Sequence, residues 1–117
     1  MNLAIIQVEN FGKVKIIKIK GEFFLQFVRP VEDAWNSLIM EGAEVIAIDC
    51  GELVFLDSSA IGTLVKLLNY ANSHNIKLIF FDLGDAIIRI FNKARLNKIF
   101  TILSREDFEK AYLSASG

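Results

Sequence analysis

The chain has little of what most site chemistries require. It holds one cysteine, Cys50, and one histidine, His74. A lone cysteine makes no internal disulfide and no cysteine metal cluster, and a reducing cytosol is the expected compartment. A lone histidine excludes histidine-rich zinc and haem sites. No apolar run approaches the roughly 20 residues of a membrane helix. The opening Met1 to Ile6 is followed by Gln7 and Glu9, so neither a signal peptide nor direct membrane insertion is expected. With 13 basic and 14 acidic side chains the net charge is −1. That balance offers no basic stripe for a phosphate backbone, and nucleic acid is not an expected partner. There is no P-loop and no Gly-x-Gly-x-x-Gly to cradle a nucleotide, and neither cofactor nor metal is expected.

What the chain does have is apolar surface, 53% of its 117 residues. That suffices for one compact domain over residues 1–117. It also requires either a sheet covered on both faces or an apolar surface that awaits a partner.

Lys13 to Lys20 reads KVKIIKIK, with a change of phase between Ile16 and Ile17, and predicts a strand that is bulged or covered on both sides. Leu3 to Glu9 is a plausible partner strand, with turn chemistry at Asn10-Phe11-Gly12. Pro30 suits an early helical position, and Val31, Ala34, Trp35, Leu38 and Ile39 follow on one helical face that runs to about Met40. Val45 to Ile48 is a short apolar run, as expected of a central strand buried on both faces. Ile61, Leu64, Val65 and Leu68 mark a second helix, Lys77 to Phe81 a strand, and Ile87, Ile90, Phe91 and Ala94 a third helix. Ile99 to Leu103 reads as a last strand, and Ser104 starts a terminal helix with Asp107 in its first turn. The tail Ser114 to Gly117 is expected to fray. Strand, strand, then alternating helix and strand predicts an α/β fold with a mixed sheet of about four or five strands and about four helices packed against it.

Between the central strand and the second helix, Leu53-Val54-Phe55-Leu56 leads into Asp57-Ser58-Ser59-Ala60-Ile61-Gly62. Asp57 or Ser58 can accept hydrogen bonds from the free first-turn amides, and either suits the positive end of the helix dipole. A cap alone would account for these residues. A serine here would also tolerate phosphate, because the same amides and partial charge favour a dianion. Phosphorylation would then add about two negative charges to a surface a partner must approach.

Gly21-Glu22 at a strand end, Asp57-Ser58-Ser59-Ala60-Ile61-Gly62 at a helix start, and Phe91-Asn92-Lys93-Ala94-Arg95-Leu96 together resemble the STAS-domain anti-sigma-factor antagonists. The resemblance runs in order over nearly the whole chain. It implies a STAS-like fold and a role without enzymatic activity of its own. It also implies that Ser58, the first serine of the triplet, is phosphorylated by an anti-sigma factor serine kinase. The unphosphorylated form would bind that anti-sigma factor and free a sigma factor, regulating transcription, and a phosphatase would reset the switch. Asp57 would cap and orient the turn, Ser59 would be a neighbouring contact or minor acceptor, and Ala60, Gly62 and Glu22 would join the partner surface, with Gly62 allowing close approach. Two positions depart from the family pattern. Ala60 replaces the usual glycine, a mild change in a helix. Phe23-Phe24 follows Gly21-Glu22 where an acidic residue is usual, which puts apolar surface at a partner-facing position and makes a different partner or a homodimer plausible. Phe23, Leu25 and Phe27 could instead alternate into the core.

Other chemistries fit less well. His74 lies 16 positions after Ser58, about 24 Å along a helix, so the two make no catalytic pair, and His74 belongs to a solvated turn. Asp49, Asp57, Asp82 and Glu22 would gather near strand ends, as in the acidic magnesium pocket of receiver domains. That pocket needs an acidic pair after the first strand, where this chain has Val8-Glu9-Asn10. Arg89, Lys93, Arg95 and Lys98 read as a solvated basic face. The competing reading from another class is a STAS subunit of a lipid-transport or other membrane-associated ATPase assembly, motivated by the apolar content and by Phe23-Phe24.

Overall fold

The computed structural model describes residues 5–114, so Leu3 and Ala4 of the first expected strand, and the tail beyond Ser114, lie outside the described residues. Strands β1 (Ile5–Phe11) and β2 (Val14–Phe23) form an antiparallel hairpin in which Phe11 pairs with Val14. The turn is Gly12-Lys13, one residue later than the sequence suggests. Gly12 has φ 72°, as the first central residue of a type II′ turn requires. Asn10 braces it, its side-chain oxygen accepting from the Gly12 amide at 3.0 Å and from Lys15 Nζ at 2.7 Å.

Helix α1 (Val28–Met40) follows a single 3₁₀ turn and begins two residues before Pro30. Then come β3 (Val45–Asp49), β4 (Leu53–Leu56), α2 (Ser58–Ser73), β5 (Lys77–Phe81), α3 (Asp85–Lys93), β6 (Thr101–Leu103) and α4 (Arg105–Phe108), which continues into a wider turn to Leu113. The sheet order is β1-β2-β3-β5-β6, with β4 paired to the far end of β2. All pairs except the hairpin are parallel. The expectation of four or five strands omitted β4, whose four apolar residues carry no alternation.

The phase change in β2 arises from burial on both faces rather than from a bulge at that point. Ile17 and Ile19 join Trp35, Leu38, Ile46, Ile48, Leu64, Phe80 and Phe91 in the main core, beneath α1, α2 and α3. Ile16 belongs to the opposite face with Ala47, Ile79 and Phe81, beneath Phe108. Phe81 and Phe108 stack at 4.1 Å between ring centroids. β3 is central and buried on both faces, as its apolar run requires.

The bulge is further on. The β2–β4 register shifts between Gly21 and Glu22, and Gly21 takes φ 89° while its amide donates to the Glu52 carbonyl at 2.9 Å. Glycine suits that position because a left-handed residue costs it little. Gly21 pairs with Leu53 and Glu22 with Phe55, so the extra residue of the bulge is Val54 in β4, while Phe23 keeps the inward phase of Ile17 and Ile19 and pairs with Leu56, one residue before the cap of α2.

Candidate functional site

Two strand ends converge on the start of α2. Asp57 is its N-cap: one carboxylate oxygen accepts from the Ala60 amide at 2.9 Å. The other accepts from the Leu25 amide at 3.1 Å, in the 3₁₀ turn after β2. The Asp57 amide in turn donates to the Phe23 carbonyl at 3.2 Å. Asp57 therefore locks the β2–α1 connection to the β4–α2 connection, which the sequence could not indicate because Leu25 is 32 positions away.

Ser58 is the first residue of α2 and its side chain is exposed. Ser59 is partly buried, and its carbonyl accepts from Thr63 Oγ1 at 2.9 Å. The helix cannot satisfy its own first amides, and the Asp57 carboxylate takes only that of Ala60. Ser58 is thus an exposed residue beside the partial positive charge of the helix start. Gly62 is exposed one turn on, with open space where a side chain would be.

Two of the expected partner residues require correction. Phe23 and Ala60 are both fully buried, so neither side chain can meet a partner. Phe23 follows the core alternative, because it keeps the inward phase of Ile17 and Ile19 in β2. Ala60 is on the sheet side of the first turn of α2, where a side chain must fill space under the helix. The alternation into the core also fails at Leu25, which is 65% exposed. Glu22 and Phe24 are half-buried. Phe24 meets Phe55 edge to face at 5.7 Å. Phe55 is 43% exposed and Val54 57%. Leu25, Val54 and Phe55 are thus exposed apolar residues on the two chain segments that lead to the cap. Sequence reading missed their exposure, since Val54 is an extra residue that lets β4 face outward at two successive positions and Leu25 lies past the end of β2.

The strand-end carboxylates do not form one acidic pocket. Asp57 is spent on the cap. Asp49 and Asp82 meet at the ends of β3 and β5, where Arg105 of α4 joins them, Nη2 at 2.7 Å from Asp49 and Nε at 2.9 Å from Asp82. Burial pulls the Arg105 pKa down, but the hydrogen bonds and charges of the two carboxylates outweigh it and the net shift is upward. Glu9 is far from this cluster in the sheet, because β1 runs antiparallel to the other strands. His74 caps the other end of α2 from Ser58 and stacks on Tyr70 at 3.9 Å. Arg89, Lys93, Arg95 and Lys98 are exposed.

These features define a small α/β module with an exposed serine at a capped helix start. The STAS domain family model matches residues 5–109, and the chain belongs to that family. Its fold is similar to that of an anti-sigma factor antagonist from Mycobacterium paratuberculosis, at 19% identity over 93% of each chain and a TM-score of 0.76. It is similar to the Bacillus cell fate determinant SpoIIAA in its phosphorylated form, at 17% identity, 92% of this chain and 98% of that one, TM-score 0.71. It also matches a sulfate transporter family protein from Wolinella succinogenes, at 16% identity over 86% of this chain and 84% of that one, TM-score 0.75. Among the described residues no helix is long and apolar enough to cross a membrane.

Proposed function

We propose that this chain is an anti-sigma factor antagonist: a cytoplasmic, non-catalytic protein-binding module that captures an anti-sigma factor serine kinase, is phosphorylated by it on Ser58, and is reset by a phosphatase. The observation that carries this reading is the exposed residue Ser58 at the start of α2, next to a cap already occupied by Asp57. Because Asp57 holds the turn, a phosphate on Ser58 is not needed to build the helix and does not have to break a hydrogen bond to form. The added dianion is accommodated locally by the helix terminus. Its effect falls on the partner, which meets charge beside the apolar Leu25, Val54 and Phe55. Desolvating that charge against an apolar partner surface opposes binding.

The test is incubation of the whole chain with an anti-sigma factor kinase and ATP. One phosphate is expected on the wild type and none on Ser58→Ala. Undiminished labelling of Ser58→Ala overturns the assignment.

The exposed apolar residues Leu25, Val54 and Phe55, together with the likeness to a transporter-family protein, favour one second reading, a STAS subunit of a membrane-associated ATPase assembly. Under it, the same residues bind the ATPase and Ser58 is a contact rather than a phosphoacceptor. Co-purification with a transporter ATPase, with retention unchanged by Ser58→Asp, selects this reading over the first.

A further inference from the structure

Strand β1 lies at one end of the sheet order, and among the described residues it is paired only with β2. Its hydrogen-bond phase follows from the hairpin. A two-residue turn closes on a hydrogen-bonded pair, here Phe11 with Val14, and such pairs alternate along an antiparallel ladder. Phe11, Glu9, Gln7 and Ile5 therefore point their backbone groups at β2, while Ile6, Val8 and Asn10 point theirs outward. The edge lacks the usual protections: it has no proline, no lysine and no bulge, and it keeps three exposed apolar side chains, Ile5, Val8 and Phe11.

We propose that this edge is a self-association surface, pairing with β1 of a second copy antiparallel about a two-fold axis through Val8. The sequence of the strand selects that register. Centred on Val8, all seven residues pair: Ile5 faces Phe11, Ile6 faces Asn10, Gln7 faces Glu9, and Val8 faces its own copy. The outward backbone groups of Ile6, Val8 and Asn10 then meet their counterparts in roughly six inter-chain hydrogen bonds. Exposed apolar residues fall opposite apolar residues on both faces, and the only charge, Glu9, meets an amide. An axis through Glu9 would set two carboxylates against each other. An axis through Gln7 would set the exposed apolar Ile5 against the charge of Glu9. A single seven-residue strand buries less than the roughly 1,000 Å² of a durable interface, so the dimer is weak and concentration-dependent.

Sedimentation of the full chain over a dilution series tests this, with covalent trapping as the second arm. The wild type is expected to shift from monomer to dimer with concentration. Val8→Lys sets two ammonium groups together at the axis and raises the dissociation constant about tenfold or more. Val8 is 47% exposed, so the fold survives the change, which circular dichroism checks. Facing Cα atoms in a hydrogen-bonded pair lie about 5.5 Å apart, within disulfide range, so Val8→Cys is expected to oxidise to a covalent dimer. Glu9→Cys, which faces Gln7 of the other copy, is not. Cys50 is buried and does not compete. A wild type that stays monomeric throughout overturns the proposal and leaves the edge to a strand of another protein. Equal cross-linking through Val8→Cys and Glu9→Cys overturns the register.

Discussion

Among the described residues, the lone carboxylate of Asp57 and the pair Asp49 and Asp82 both follow or end strands, and they are built oppositely. At the start of α2, Asp57 gives both oxygens to backbone amides, those of Ala60 and Leu25, and leaves the neighbouring serine outward. At the ends of β3 and β5, Asp49 and Asp82 each accept through one oxygen from a single guanidinium, that of Arg105, which closes α4 over the sheet. The first arrangement uses charge to hold two loops without covering them. The second uses charge to seal. Reactive chemistry is therefore expected at the first place, and stability is expected to depend more on the second.

The largest effect is expected from Arg105→Ala. It leaves Asp49, 2% exposed, with only the Gly51 amide as partner. Breaking a buried pair costs about 3–5 kcal/mol, and partial exposure of Arg105 and Asp82 reduces this to roughly 2–3 kcal/mol. Urea unfolding measures it, and a loss below about 1 kcal/mol would mean that the cluster does not seal the fold. Gly51→Ala attacks the same place sterically, since its Cβ would lie 2.6 Å from Asp82 Oδ2 and 2.9 Å from Arg105 Nη2. In the Arg105→Ala background the penalty of Gly51→Ala should shrink, because one clashing group is gone and the pair is coupled.

Asp57→Ala comes next. Loss of an N-cap costs about 1 kcal/mol, and releasing the Leu25 amide adds a fraction more. The expected total, about 1–2 kcal/mol, is below that of Arg105→Ala. Under the proposed function the binding result should run the other way: retention of an anti-sigma factor kinase fails in Asp57→Ala, which loosens both loops around Ser58, and persists in Arg105→Ala.

How far these two places could be read in the sequence differs for a physical reason. The cap was legible because capping is local: Asp57 and the amide it accepts from are three positions apart. The buried runs at β3 and β5 were legible too, since strands covered on both faces are continuously apolar. The seal was not, because Asp49, Asp82 and Arg105 are brought together only by parallel strand pairing and the return of α4. The inward place of Phe23 continues the phase that buries Ile17 and Ile19 in the same strand. What the alternation of Phe23, Leu25 and Phe27 does not report is that β2 ends at Phe23 and a 3₁₀ turn follows, which leaves Leu25 exposed.

A third difference lies in pH response. Cys50 follows Asp49 on the sealed side, and burial, reinforced by the charges of Asp49 and Asp82, pushes its thiol well above the usual 9.0. A raised folded-state pKa means that the unfolded chain loses its proton first as pH rises. The stabilising contribution is complete below the unfolded thiol pKa and declines above it, at up to about 1.4 kcal/mol per pH unit. Unfolding between about pH 9 and 10.5 should show this slope in the wild type and lose that part of it in Cys50→Ala, even though the variant starts less stable.

The smallest expected change in stability, from Ser58→Asp, sharpens the comparison most. A carboxylate in the first turn of α2 interacts favourably with the helix dipole by about 0.3–1 kcal/mol when exposed, and the Asp57 cap is untouched. The variant should therefore unfold at the same urea concentration as the wild type or slightly higher, and by the same two-state transition. If it nevertheless fails to retain the kinase, the loss comes from charge presented at the surface and not from damage to the turn. A Ser58→Asp chain that is clearly destabilised would place the hydroxyl in a structural role and take away the distinction between an open carboxylate and a sealed pair.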